Sequence, residues 1–201
     1  VIFDDLKRLA RDTTFYLKLR REFDARGAKV ECPNFTFEET PEGQFIETII
    51  AAQGELERKQ NQRQVVQKMK SRLEKGYWAF VAPVGYRMGK NPLHGMVLEV
   101  HPDDAEVVRE ALSGFAIGRF KNQIDVQKFL EEKVFRGRKH HSLDMVKKML
   151  GNPIYAGYIE YAPWSVSRRV GHHEPLITSI VFEQLRERLA GKVTTYSRKD
   201  N

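Results

Sequence analysis

Lys7-Arg8-Leu9-Ala10-Arg11-Asp12 stands between a strand-like start, Val1-Ile2-Phe3, and an amphipathic run from Thr13 to Gly27. Val1 to Phe3 is apolar and mostly β-branched, which favours extended backbone. Asp12 is a residue type that caps helices, with Thr13 and Thr14 in the first turn. Phe15, Leu17, Leu19 and Phe23 supply the apolar positions, and Gly27 is placed to end the helix in a left-handed turn. Lys29-Val30-Glu31-Cys32 then resumes a strand. Strand, helix, strand in that order predicts a parallel α/β layer. Pro33 to Gly43 reads as a loop, which gives a first segment of residues 1–43.

From Gln44 to Gly76 the sequence predicts a single helix of about 33 residues, roughly 50 Å at ~1.5 Å per residue. Its front third is apolar, with Phe45, Ile46, Ile49, Ile50, Ala52 and Leu56. Gly54 within it costs about 1 kcal/mol against Ala, so close packing is expected there. From Arg58 onward the helix carries Arg58, Lys59, Arg63, Lys68, Lys70, Arg72 and Lys75 against one acid, Glu74. Acids in front and bases behind suit the helix dipole, but that effect fades within a turn and does not explain a basic run of about five turns. Two readings stand: a helix running out onto DNA, or a solvated coiled-coil-like strut.

Residues 77–101 are rich in glycine and proline and read as an irregular linker, with a domain boundary near 77–84. Tyr77, Trp78, Phe80 and Tyr86 are expected to dock this linker on something. A second domain, 102–191, follows. His101-Pro102-Asp103-Asp104 opens a helix packed through Val107, Val108, Ala111, Leu112 and Phe115, and Gly118 breaks it. Asn122 to Val134 forms another, packed through Ile124, Val126, Phe129 and Leu130. Ser142 caps a third, with Leu143, Val146, Met149 and Leu150 inward, stopped by Asn152-Pro153. The basic junction Arg136-Gly137-Arg138-Lys139-His140-His141 lies between the second and third. Three short helices with such a junction suggest a helix-turn-helix, winged-helix-like domain. Tyr155 to Tyr161 reads as a strand paired with Val170 or with Leu176-Ile177, and a last helix runs from Ser179 to Ala190. Residues 192–201 form a tail expected to be disordered.

The chain has 201 residues, 41% hydrophobic and 30% charged, with a formal net charge of +7. The excess is local: net +3 over residues 44–76 and +4 over residues 121–151, against −1 over both 1–43 and 77–120. That distribution favours a directed nucleic-acid footprint. No apolar run approaches the ~18 residues of a membrane span, and no signal segment opens the chain. With Cys32 the single cysteine there is no disulfide framework and no zinc-type pair. The expectation is a soluble, cytoplasmic protein without a cofactor or metal. Adjacent histidines rarely share an ion, so His140-His141 and His172-His173 read as loop or phosphate-contacting residues. Cys32 reads as a small buried residue. The strand-like start without a methionine suggests that an upstream portion is missing.

Arg8 and Arg11 are three apart and share a side on a helical or turn backbone. Two guanidiniums so placed can grip a phosphate and stabilise the added charge of a pentacoordinate transition state. The alternative is a surface pair held by Asp4, Asp5 or Asp12, of a kind worth little. The order strand, Arg8-Leu9-Ala10-Arg11-Asp12, helix, strand, loop, long helix with Glu57-Arg58 resembles the second half of a serine recombinase catalytic domain. Ala82-Pro83-Val84-Gly85-Tyr86-Arg87 is similar to the Pro-x-Gly-Tyr segment of the large serine recombinases. Asn152-Pro153-Ile154-Tyr155-Ala156-Gly157 is similar to the Asn-Pro-x-Tyr-x-Gly signature of their recombinase domain.

The resemblance implies cleavage and rejoining of DNA through a 5′-phosphoserine link, with strand exchange by subunit rotation in a tetramer and a homodimer on each double-stranded attachment site. It implies that Arg8 and Arg11 hold the scissile phosphate and that Glu57 and Arg58 support the active site and subunit contacts. The apolar front of the long helix would be the oligomer interface, and its basic rear, with Arg63, Lys68, Lys70 and Arg72, would cross the minor groove. Arg87 is expected to reach the minor groove, and Arg136, Arg138, Lys139, Lys147 and Lys148 to contact DNA from the second domain. Trp164, Arg168 and Arg169 form a second basic-aromatic patch or a surface hairpin. Lys7 departs from the family, where an Asp often precedes the first arginine. The family's nucleophilic serine lies farther upstream and its zinc ribbon downstream, so the chain reads as a fragment unable to cleave DNA alone. The alternatives are a non-enzymatic helix-turn-helix regulator and a structural coiled-coil adaptor.

Overall fold

The computed structural model describes residues 1–2, 4, 12–33, 35–38, 40–137 and 140–191. The chain divides into two compact units, Val1–Lys68 and Met69–Asn201. The division falls inside the long helix, not in the glycine- and proline-rich segment that follows it.

In the first unit, α1 (Thr13–Ala25) starts at Asp12, whose Oδ1 accepts the Phe15 amide at 2.8 Å. Gly27 follows its end at φ 64°, as its position suggested. The inward face of α1 differs from the expected one. Tyr16 is buried, whereas Phe15 is 60% exposed. The reason is polar: the Tyr16 hydroxyl donates to the buried Glu47 carboxylate, which also lies 3.3 Å from Arg20 Nε. Burial first, and then the hydrogen bond to Glu47, push the Tyr16 phenol well above its ordinary pKa. The two expected strands shrink to single bridges. Ile2 pairs in parallel with Glu31, the Glu31 amide donating to Val1 O at 2.8 Å, and Cys32 pairs antiparallel with Phe35. Cys32 is half-buried, so the deeply buried cysteine is not found.

The long helix α2 spans Pro41–Glu74. It begins three residues before Gln44 because Thr40 caps it. Thr40 Oγ1 accepts the Gly43 amide at 3.1 Å, and Pro41 occupies a first-turn position that needs no amide donor. Ala51 joins Tyr16 in the small core of this unit, with Leu17, Ile50, Phe35 and Phe37 packed around them. Most of the apolar front of α2 is uncovered: Phe45, Ile46, Ile49 and Leu56 are about half exposed or more.

In the second unit, Leu73 is fully buried and the turn ends at Gly76, φ 79°. A Cβ at Gly76 would lie 2.6 Å from Val170 O, so only glycine fits there. The segment expected to be irregular contains a β-hairpin. β1 (Tyr86–Asn91) pairs antiparallel with β2 (Gly95–Val100), in register from Tyr86↔Val100 to Asn91↔Gly95. Four helices and a second hairpin follow: α3 (Asp104–Ala116), α4 (Gln123–Glu132), α5 (Leu143–Leu150), β3 (Tyr158–Tyr161), β4 (Val166–Val170) and α6 (Ser179–Leu189). Their boundaries follow local chemistry. Asn122 and Asp125 form a reciprocal capping box, Ser142 Oγ accepts the Met145 amide at 3.2 Å, and Gly118 and Gly191 have left-handed backbone.

The core runs through Val108, Leu112, Leu130, Leu150, Ile159 and Leu185. Ile124 and Leu143, expected inside, are 50% and 39% exposed. Both lie in the first turn of their helices, ahead of the inward stripe. β3 begins at Tyr158 because Pro153–Ala156 is a 3-10 turn closed by Gly157 at φ 83°. Tyr158 pairs with Val170 as expected. Among the described residues no helix is long and apolar enough to cross a membrane. Residues 192–201 lie outside the described residues.

Candidate nucleic-acid interface

Arg8 and Arg11, with Lys7 and Asp5, lie outside the described residues, as do Arg138 and Lys139. The described neighbour of the arginine segment is the head of α1, and it is tied to the long helix. Glu55 Oε2 accepts from the Thr13 amide at 3.2 Å and from Thr13 Oγ1 at 2.7 Å, while Oε1 lies 2.6 Å from Lys59 Nζ. The Lys59 ammonium first, and then the two Thr13 donors, hold the Glu55 carboxyl down at about 2. Sequence reasoning named Glu57 and did not single out this pair. Residues two apart on a helix point about 200° from one another, so Glu55 and Glu57 occupy different faces. Glu57 is exposed and accepts from Gln53 Nε2 at 3.2 Å. The spacing of Glu55 and Lys59 was a visible sign, but the contact with Thr13 bridges 42 positions and left no local trace.

The basic run along α2 separates into two classes. Arg58, Arg63 and Lys68 are exposed, and among the described residues none has a carboxylate within ion-pair distance. Lys59, Gln62, Arg63, Val66 and Gln67 share one face at helical spacing and line a shallow concavity of about 320 Å³. Amide groups and cations in one groove can serve phosphate oxygens and base edges together. Near the helix end the cations turn back on the protein. Lys70 lies 3.9 Å from Glu74, and Arg72 donates to Met96 O and lies over the Tyr77 ring.

The second unit shows the same division. Arg87 lies 3.3 Å from Glu99, across the strand pair, and Arg136 lies 3.2 Å from Asp104 on α3. Lys148 lies 2.7 Å from Asp144 one turn earlier, whereas Lys147 is exposed without such a partner among the described residues. The side chains of the Trp164, Arg168 and Arg169 patch, half-buried or exposed, are engaged with their own unit. Arg168 lies 3.0 Å from Glu160 and over Tyr158 and Phe182, Arg169 donates to Glu74 O at 2.7 Å, and Trp164 packs with Phe80 and Tyr161. The paired histidines part company. His172 stacks on Tyr77, while His173 lies 2.7 Å from Ile154 O and meets the Tyr86 ring edge-on. His141 is buried beside Phe135, and its backbone carbonyl accepts from Gln127.

The two motif segments that looked most diagnostic meet each other. Tyr155 donates to Val84 O at 2.9 Å, Tyr86 donates to Glu174 O at 2.7 Å, and the two rings stack with centroids 6.0 Å apart. Asn152 Oδ1 caps the turn by accepting the Ile154 amide at 3.1 Å. At Gly85, φ 87°, a Cβ would meet Leu176 at 2.9 Å. Burial raises both phenol pKa values, so the hydroxyls stay protonated donors. Val84-Gly85-Tyr86 and Asn152 to Gly157 therefore form a packing latch and not a reactive centre.

Residues 1–78 match the family model described as Resolvase, N terminal domain, and residues 102–192 match the one described as Recombinase. No curated protein matches the chain. One solved structure, from work on the sequence requirements of the Listeria innocua prophage attP site, is similar with a TM-score of 0.52 at 23% identity, covering 63% of this chain and 51% of that one. A second, the crystal structure of an LSR–DNA complex, is similar with a TM-score of 0.52 at 22% identity, covering 63% of this chain and 39% of that one. At these identities the likeness is one of fold, and the chain spans about half of the first structure's length and about two fifths of the second's.

Proposed function

The chain belongs to the large serine recombinases, and from that premise we propose that it serves site-specific DNA recombination by binding a double-stranded attachment site. The observation that carries this reading is the long helix. Its front holds the head of α1 through Glu55 and Thr13, and farther along it presents Arg58, Arg63 and Lys68, which have no carboxylate partner among the described residues. A strut would gain by pairing these cations, whereas a duplex supplies the missing anions.

In the proposed reaction a serine hydroxyl of the whole protein attacks a phosphodiester, a 5′-phosphoserine link forms, and the 3′-oxygen leaves. The reversed step on a new partner strand restores the backbone without a high-energy cofactor. Arg8 and Arg11 hold the scissile phosphate and stabilise its added charge. Glu57 and Arg58 support that site. Phe45, Ile49, Ala52 and Leu56 follow the i, i+4, i+7, i+11 spacing of an interhelical seam and serve a homodimer on each site and a tetramer at synapsis. The winged-helix-like part, α4 to β4, contacts DNA through Lys147, Lys148 and the Arg136–Lys139 junction.

The test is a salt titration of duplex binding. The wild-type chain is expected to lose affinity steeply as salt rises, and Arg63→Ala or Lys68→Ala each to flatten the log–log slope by about 0.9. Binding that is absent, or indifferent to salt, contradicts the reading.

A further inference from the structure

The β1–β2 hairpin ends in Asn91-Pro92-Leu93-His94-Gly95, and this tip is built to stay in place. Asn91 Oδ1 accepts the amides of Leu93 at 2.9 Å and of His94 at 3.2 Å. Gly95, at φ 69°, closes the turn opposite Asn91. The tip is also braced from below. His94 Nδ1 lies 2.6 Å from the Tyr77 hydroxyl. His172 stacks on Tyr77 at 4.3 Å between centroids and on His94 at 5.2 Å. Arg72 lies 5.4 Å over the Tyr77 ring and donates to Met96 O. Three rings and a guanidinium thus fasten the hairpin to the last turn of α2 and to the loop after β4.

Beyond this brace Leu93 projects into solvent, 89% exposed. Lys90 beside it is exposed, and Arg72 lies at the base of the tip. The one carboxylate of the hairpin, Glu99, is taken by Arg87. The result is one fully projecting leucine on a stiff stalk, with exposed Pro92 and part-exposed Met96 beside it and Lys90 next to them. A stable protein interface needs several hundred Å² on each side, more than these few side chains offer. A duplex groove fits better: apolar wedges enter the minor groove and part a base step while cations hold the flanking phosphates. Stiffness matters for that task, because binding energy spent on ordering a loop is not left for unstacking bases.

We propose that Pro92-Leu93 is a minor-groove wedge, with the exposed Lys90 facing the phosphates beside it. The proposal rests on the DNA-binding reading above and adds a deformation of the duplex, which that reading does not require. It also moves the minor-groove contact from Arg87, held by Glu99, to the tip.

The test uses the whole chain and a short duplex that the chain itself enriches from a randomised pool. Affinity, end-to-end energy transfer and the fluorescence of an adenine analogue that brightens on unstacking are measured together. Leu93→Ala is expected to weaken binding about tenfold and to remove both the bend and the unstacking signal, with the thermal unfolding midpoint unchanged because Leu93 packs on little. Arg63→Ala is expected to weaken binding while the remaining complexes still bend. Wild-type binding without deformation overturns the wedge, as does Leu93→Ala binding and bending like the wild type. A Leu93→Ala effect on self-association in place of DNA affinity identifies a protein contact and overturns it too. If no duplex is enriched or bound at all, the DNA-binding reading itself fails, a result distinct from binding without deformation.

Discussion

The front and the rear of the long helix treat burial in opposite ways. The front leaves Phe45, Ile46, Ile49 and Leu56 in solvent and buries a carboxylate, Glu47. The rear buries a leucine, Leu73, and leaves Arg58, Arg63 and Lys68 exposed, with no carboxylate partner among the described residues. The difference teaches what each part is for. An apolar seam that its own unit does not cover is suited to a protein surface of the same kind. Cations that their own unit does not neutralise are suited to a polyanion. The turn where the helix meets the second unit is neither; it is anchored by packing.

The contrast breaks most readily at Leu73. Leu73→Ala is expected to destabilise the second unit by about 2–5 kcal/mol, because a fully buried leucine leaves a cavity. Phe45→Ser at the other end should change stability by no more than about 0.5 kcal/mol while weakening self-association. Denaturant titration together with sedimentation velocity reads both. Equal destabilisation by the two would erase the distinction.

A smaller effect sharpens the polar side of the front. Glu47→Ala leaves the buried Tyr16 hydroxyl without its acceptor and removes the carboxylate 3.3 Å from Arg20 Nε, at a cost of about 1–3 kcal/mol. A variant as stable as the wild type would mean that the network merely fills space.

The smallest expected effect is a pH dependence in the second unit. Burial holds the His173 imidazole below its ordinary pKa, against the opposing pull of its contact with Ile154 O. The folded form therefore refuses protons that the unfolded chain accepts below ~6.5. The resulting stability is fully present above that value and is lost as pH falls through the folded value. His173→Gln should lose less of its melting temperature than the wild type between about pH 7.5 and about pH 5.5. Parallel losses would assign the acid sensitivity to other groups.

Much of this architecture was legible in sequence because its signals are local. Asp12, Asn122 and Ser142 begin helices where capping side chains must sit, and Gly27, Gly118 and Gly191 end them where left-handed backbone is needed. The β1–β2 hairpin was hidden because Gly89 and Gly95 interrupt the alternation that marks a strand, and the same glycines read as linker. The interface was harder still. That Arg87 meets Glu99, Arg136 meets Asp104 and Glu55 meets Thr13 depends on which elements fold against each other. A list of basic residues cannot separate the cations already spent on such contacts from Arg58, Arg63 and Lys68. In the signature segments, the bonds that Tyr86 and Tyr155 donate to Glu174 O and Val84 O span 88 and 71 positions, and no local pattern shows that the two segments meet.

The central claim, that the Arg8–Arg11 segment serves phosphate chemistry while the long helix serves binding, is tested most directly by trapping covalent protein–DNA links in the full-length protein. With Arg8→Ala and Arg11→Ala combined, the account predicts that the covalent link disappears while the attachment site is still bound with a steep salt dependence. A variant that still forms the link at the wild-type rate would contradict it.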